Sequence, residues 1–412
     1  MLAYEAALER ILAHVPAPKA ARVPLQEALG CVLSRTVVAG ADLPGFNNSA
    51  VDGYALCVMP YNDLTHHSLR LIGKAEAGKP FRGLVRSGQV VRIFTGAQLP
   101  VGANAVVMQE RVRVSPSGVL LSESPEIGQH IRRRGEDISA GKTVLKPGTI
   151  LRAQEIGLLA ALGQSHAAVW GRPRVAVLTT GNELRPAGRS LAAGQIYDSN
   201  SAMLAALVQE TGGLVRTSQT CPDSLSRLVR TLRSMLSSAK TDVILLAGGV
   251  SVGDKDLCRE AFAKCGIRQI FWRVNIKPGM PFFFGKKGRT LIFGLPGNPV
   301  SSYVTFREFA APALAKLQGR AWQDPYSRPA SLLKDLHVSK SRETHFVRVT
   351  SQGSNGTLHV AALDGQGSHH LRSLVEAQGW MRLRSSEGPW ATGARVLVRT
   401  DGDLQPTHGD SQ

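Results

Sequence analysis

TLIFGLPGNPVSS, Thr290 to Ser302, runs from an apolar stretch through a Pro-Gly turn into residues suited to open a helix. Pro296-Gly297 predicts a tight turn in which glycine takes the positive φ of a type II turn. Asn298 then falls at the N-cap and Pro299 at the first helical position. Ser301 and Ser302 add hydroxyl donors beside the amides of that first helical turn. The same grammar recurs upstream, in VAVLTTGNEL (Val175 to Leu184) and in DVILLAGGVSVGDKD (Asp242 to Asp256). Repeated strand-turn-helix units predict a mainly parallel α/β sheet. In such a sheet the turns emerge at one edge, the carboxyl ends of the strands, where amides and helix N-termini seat phosphate or another oxyanion. The same residues also build a sound strand-to-helix connection with no ligand, so one turn alone does not establish a site.

In GGVSVGDKD, Gly248 and Gly249 allow the backbone to leave its strand sharply, and Gly253 frees a second bend. Asp254 is placed to cap a helix beginning near Lys255, which leaves Asp256 in the first turn. A carboxylate beside a phosphate seat is unfavourable unless a cation intervenes. That makes Asp256, together with Glu183, a candidate Mg²⁺ ligand, while capping is enough to account for Asp254. In FWRVNIKPGMPFFFG, Arg273 and Lys277 are four residues apart, and on one extended strand they would face the same anion.

The composition agrees with a folded soluble protein of several domains. The chain has 412 residues, of which 43% are apolar and 19% charged. Its formal charge of +18 is compatible with nucleic acid, membrane surfaces or small polyanions. The basic residues are spread along the chain, and the densest cluster, Arg132 to Arg134, runs into Glu136 and Asp137. No dedicated nucleic-acid role is expected from that pattern. The five cysteines include no Cys-x-x-Cys pair, and an odd number does not complete a disulfide framework. The N-terminus has acidic residues where a secretory signal needs an apolar core, and no apolar run approaches the roughly 20 residues that span a bilayer. A cytoplasmic protein without membrane partners is expected.

Outside the α/β region the periodicity changes. MLAYEAALERILAHV reads as a helix, PLQEALG as a short one after Pro24, and AQEIGLLAALG as a third. Between them, short β-type runs such as VDGYALCV, SLRLIGKA, VVRIFTG and AVVMQERVRV alternate with Gly, Pro and Asn turns. HFVRVT, LHVAAL, GWMRLR and RVLVRT form a second β-rich region at the end. The expected architecture is multidomain α+β and α/β. A small helical N-terminal domain takes 1–43 and 139–170, and a β-rich insertion 44–138. A central three-layer α/β domain takes 171–318, and a C-terminal β-barrel-like domain 319–412.

The ordered series SAVDGYA, TGAQLPVGANAVVMQE, RRRGEDI, TTGNEL, YDSNS, GGVSVGDKD, KPG and GLPGNPVSS resembles the molybdopterin molybdenumtransferase family, the MoeA type that also forms the C-terminal part of gephyrin. The resemblance spans nearly the whole chain. It implies an elongated homodimer of four-domain chains whose α/β domain binds molybdopterin and faces a partner's β insertion across the cleft. It also implies a reaction in which Mg²⁺ assists cleavage of adenylylated molybdopterin, AMP leaves, and molybdenum from molybdate enters the dithiolene. A molybdopterin-adenylylating protein and other enzymes of cofactor biosynthesis are the implied partners.

Positions matching the family's functional residues are Asp52, Thr95, Asp137, Glu183, Asp242, Asp256, Arg273 and Lys277, with Arg348 and Ser368 in the last domain. Taken with the turns, the candidate catalytic residues are Asp52, Thr95, Asp137, Asp256 and Lys277. The candidate substrate contacts are Gly181, Glu183, Ser251, Arg273, Pro296, Asn298 and Ser301, and Glu183 and Asp256 are the candidate metal ligands. Read locally, Asp52-Gly53 would be only a hairpin turn, and Thr95-Gly96 only a strand end. Three positions depart from the family: Asn182 where Asp is common, Arg273 where many members carry Lys, and Met280 where Lys is frequent. A non-catalytic cofactor-binding or scaffold paralogue is therefore the alternative. A nucleotide pyrophosphatase on the same kind of module is a third reading.

Overall fold

A computed structural model describes residues 1–412 apart from 61–62, 238–240, 250–256, 339–342, 355–356 and 401–412. The chain parts into two compact units, one of residues 1–21, 30–32 and 169–412, the other of residues 22–29 and 33–168. The discontinuous N-terminal domain expected from the sequence is divided between them.

The first unit is built on a six-stranded sheet. Its strands are β1 (Arg174–Thr180), β2 (Leu214–Cys221), β3 (Val243–Ala247), β4 (Arg268–Trp272), β5 (Phe283–Lys287) and β6 (Thr290–Leu295), in the order β2-β1-β3-β6-β5-β4. The first four run parallel, β5 runs against them, and β4 pairs antiparallel with β5 and so follows the direction of the first four. β3, VILLA, is buried at every position, as a parallel strand covered on both faces must be. Val175, Val177 and Leu245 pack with helices α2 (Ser199–Glu210) and α5 (Pro299–Thr305). Their neighbours Ala176, Leu178 and Leu246 pack on the other face with α3 (Leu225–Ser237) and α4 (Leu257–Lys264). This alternation produces the three layers expected. In α3, Leu228, Leu232 and Met235 are buried at helical spacing while Arg227, Arg230 and Arg233 are exposed.

α5 continues through a π-helical turn, Phe306–Ala310, into α6 (Ala311–Leu317). The turn carries Glu308, 2% exposed, which accepts hydrogen bonds from the Tyr4 hydroxyl at 2.9 Å and the Tyr326 hydroxyl at 3.0 Å. Helix α1 (Tyr4–His14) is thereby fastened to the α/β part, with Tyr4 also against Phe309 and Phe346. Burial pushes the Glu308 carboxyl up, against the opposing charge of Arg399.

The C-terminal strands are β7 (Arg328–Leu332), β8 (Thr344–Ser354), β9 (Thr357–Ala362), β10 (Gly379–Arg384) and β11 (Arg395–Thr400). They pair in the order β8-β9-β7-β11-β10, and β10 closes on β8, giving a five-stranded barrel. Val347, Val360, Met381 and Val398 fill it. The two-residue strand Ile276–Lys277 adds to the barrel by pairing with Thr344 and His345 of β8.

The second unit is β-rich. Strands Arg70–Ala75, Gln89–Ile93, Gly53–Leu56 and Ala105–Met108 form a sheet in that order. Asp52-Gly53 is not a hairpin turn but the entrance to a central strand. A Cβ on Gly53 would stand 1.9 Å from the Val107 carbonyl oxygen, so only glycine fits there. PLQEALG yields one 3₁₀ turn, Leu25–Glu27, because so short a run cannot offset helix nucleation. The run AQEIGLLAALG forms the expected helix, Ala153–Ala161, with Arg152 and Glu155 closing its first turn. Among the described residues no helix is long and apolar enough to cross a membrane.

Candidate functional site

The turns after β1, β3 and β6 emerge at one edge of the sheet and line a single cleft of about 1290 Å³. Thr180 to Glu183, Ala247 to Gly249 and Pro296 to Asn298 all face it, as the strand grammar requires. Gly248 and Gly249 take φ of 97° and 65°, and a Cβ on Gly248 would lie 2.5 Å from the Thr180 carbonyl oxygen. Gly297, by contrast, does not adopt the positive φ that the type II reading expects. It instead approaches Gly248, whose Cα lies 3.6 Å from where a Cβ would sit.

The turn into α5 is held by neighbours rather than left open. Asn298 occupies the N-cap position without a side-chain cap, and its amide donates to the Ser368 hydroxyl at 2.9 Å. The Val300 amide donates to the Ser368 carbonyl at 3.2 Å. Ser302 donates its hydroxyl to the Pro296 carbonyl at 2.6 Å, so it is not a donor for ligand as its position in the sequence implied. Ser301 and Pro296 do line the cleft. Residues 366–369 from the barrel thus form part of the wall. Arg348, 1% exposed, supports that segment by donating to the Gly365 and Gly367 carbonyls at 3.2 and 3.3 Å.

Gly181, Glu183 and Lys277 line the cleft as expected, and the charged ends of Glu183 and Lys277 are exposed. Arg273 does not join them. Its φ of 66° turns the chain between β4 and Ile276–Lys277, so the two cations are not on one strand. Its guanidinium lies 4.0 Å from the Trp272 ring centroid and is outside the cleft lining. Asp242 is also elsewhere. It precedes β3 at the amino end of the strand, where it pairs with Lys19 at 2.8 Å and accepts from the Arg174 amide at 3.0 Å. A residue before a strand cannot reach the edge after it.

Two carboxylates that the sequence did not single out take the places of interest. Asp223, just after β2, lines the cleft and accepts from the Thr180 hydroxyl at 2.7 Å. Its amide donates to Asn182 at 3.1 Å, a bond that aspartate could equally accept. Asn182 therefore keeps the turn while removing a charge beside Glu183. Asp198 caps α2 through the Ser201 amide at 3.0 Å and accepts from the Thr179 and Thr220 hydroxyls at 2.5 and 2.9 Å. YDSNS contains that cap, and an Asp after an edge strand in CPDSL was the available signal for Asp223.

The described lining carries Glu183, Asp198, Asp223 and Glu343 against one strong cation, Lys277. Behind Lys277, burial and then the lysine's charge hold the His345 imidazole below its usual range, against Glu343. Among the described residues no three His, Cys, Asp or Glu side chains converge as a metal-binding group. Ser251, Asp254 and Asp256 lie outside the described residues. Asp52, Thr95 and Asp137 belong to the second unit. There Asp52 accepts from the Thr95 amide at 2.8 Å and from its hydroxyl at 2.7 Å, which hold its carboxyl below the usual range. Asp137 is exposed.

A mainly parallel sheet with a loop-lined cleft at its carboxyl edge, in a chain that also carries a five-stranded barrel and a β-rich unit, defines a multidomain α/β protein with a cleft suited to a ligand. Residues 2–163 match the MoeA N-terminal region (domain I and II), 176–316 the probable molybdopterin binding domain, and 329–400 the MoeA C-terminal region (domain IV). The chain is 35% identical over 405 residues to the molybdopterin molybdenumtransferase of Haemophilus influenzae, covering 97% of this chain and 98% of that one. It is 36% identical over 385 residues to molybdopterin molybdenumtransferase 2 of Mycobacterium tuberculosis, covering 91% and 94%. A crystal structure of a molybdopterin biosynthesis MoeA protein from Pyrococcus horikoshii aligns with a TM-score of 0.72 at 30% identity, over 97% of this chain and all of that one. The chain belongs to the molybdopterin molybdenumtransferase family, and its role lies in molybdenum cofactor biosynthesis.

Proposed function

We propose that this enzyme cleaves adenylylated molybdopterin, releases AMP and inserts molybdenum from molybdate into the dithiolene, in a Mg²⁺-dependent reaction. The observation that carries the reading is the cleft itself, where hard carboxylate oxygens and one exposed lysine meet at the carboxyl edge of the sheet. Lys277 holds an oxyanion of the substrate. Glu183 and Asp223 suit Mg²⁺, which takes oxygen ligands, keeps several waters and needs only one or two carboxylates. When bound, the ion offsets negative charge on the phosphoanhydride and on the departing phosphate. Asp198 is committed to its cap and hydroxyls, so it shapes the floor. Asn298 and Ser368 fix the wall against which the substrate is oriented.

The reading includes a homodimer in which Asp52, Thr95 and Asp137 serve a partner's cleft, which sedimentation of wild-type protein would test. Incubation with adenylylated molybdopterin, molybdate and Mg²⁺ should release AMP and form cofactor. Release of AMP that ignores molybdate would mean a pyrophosphatase. Met280 lines the cleft where related chains often have lysine, which favours a scaffold as the second reading. A scaffold binds the adenylate and releases no AMP.

A further inference from the structure

The opposite edge of the same sheet holds a second, smaller hollow of about 170 Å³. It lies where strands begin: Arg174 opens β1, Asp242 precedes β3, and Arg289 precedes β6. Lys19 and Arg172 complete the charged lining, and Ala17, Pro173 and Leu317 supply apolar wall. The described lining thus carries four cationic side chains and one carboxylate. That carboxylate is already engaged, with Oδ1 on the Lys19 ammonium at 2.8 Å and Oδ2 on the Arg174 amide at 3.0 Å. Arg289 spends one donor on the Ala17 carbonyl at 2.7 Å. An ammonium has three donors and a guanidinium five, so these bonds use a small part of what Lys19 and Arg289 offer.

Arg174 and Arg289 have no carboxylate partner among the described residues, and such like charges in a hollow with apolar walls repel one another and raise the local potential, both of which a bound anion relieves. Size narrows its identity. A water takes about 30 Å³ of liquid, so the hollow holds five or six waters. It is smaller than the roughly 300–1,000 Å³ of pockets for larger organic ligands. We propose that this hollow is a second anion site, separate from the cleft, that takes one tetrahedral dianion of the phosphate or molybdate kind.

Titration calorimetry of the full chain with inorganic phosphate, and separately with molybdate, tests the proposal. One equivalent, over and above any binding at the cleft that Lys277→Met removes, should bind to the wild type with affinity that falls at raised ionic strength. Arg174→Met with Arg289→Met should weaken it at least tenfold, and Asp242→Asn should tighten it several-fold. Lys277→Met, on the far edge, should leave that event unchanged. Arg289 is exposed, so Arg289→Met alone, with a smaller loss, serves if the double variant does not fold. Stronger binding of one of the two anions names the natural occupant. Binding indifferent to Arg289 and Asp242, or abolished only by Lys277→Met, overturns the proposal, as does no binding of either anion.

Discussion

The two ends of the central sheet make opposite electrostatic choices. At the carboxyl ends, a large cleft is lined by four described carboxylates and Lys277; at the amino ends, a small hollow is lined by four cationic side chains and Asp242. Part of this contrast follows from the fold alone. Helices of an α/β unit start near the carboxyl edge with about half a positive charge, and they end near the other edge with about half a negative one. Carboxylates and cations thus gather where the dipoles favour them. What the dipoles do not explain is an exposed lysine amid carboxylates, or cations in excess around a carboxylate already engaged.

The comparison breaks first at Lys277. Lys277→Met should lower AMP release about 100-fold or more, the scale of losing one positioned donor to an oxyanion, while the melting temperature stays put. Arg174→Met with Arg289→Met should leave that turnover intact. An equal loss in both variants would mean that the two ends act as one site. Glu183→Ala should raise the Mg²⁺ concentration needed for half-maximal rate about tenfold or more, the scale of removing one supporting metal contact, and an unchanged Mg²⁺ titration would remove that ligand.

Stability should differ between the ends as well. Asp198→Ala removes a helix cap and strands two hydroxyls beneath the cleft, costing about 2 kcal/mol in denaturant unfolding. Asp242→Asn should cost under about 1 kcal/mol, because its partner Lys19 is 57% exposed. Equal losses would show the amino-end pair to be structural in its own right. The smallest effect lies off the sheet, at Thr95→Val. Asp52's depressed pKa adds stability above the unfolded value of about 3.9, lost as pH falls through the folded value. Removing the hydroxyl should therefore lower stability slightly at neutral pH, and the difference from wild type should vanish as pH falls below the folded value, as denaturant unfolding at the two pH values would report.

Much of the cleft was legible in local pattern. Gly181, Glu183, Pro296, Asn298 and Ser301 reach it because each follows an apolar strand, and strand direction alone sends such turns to one edge. Arg273 was misplaced because spacing on a strand presumes that the strand continues, and a positive φ at Arg273 ends it. Asp242 was misplaced for a related reason: a motif match carries no information about which end of a strand a residue occupies. Asp223 stayed hidden because a lone Asp after an edge strand looks like any cap. Ser302 looked like a free donor until the Pro296 carbonyl was found beside it.

By itself the amino-acid sequence determined the three-layer α/β core, the β-rich regions and the edge at which the ligand site forms. Periodicity and turn chemistry act over a few residues, and those features need no more. Tertiary structure alone decided which charges meet. The barrel's Ser368 reaches Asn298 across 70 positions, and Lys19 reaches Asp242 across 223. Charge pairing depends on distance in space, and only the closed fold brings such residues within hydrogen-bonding reach.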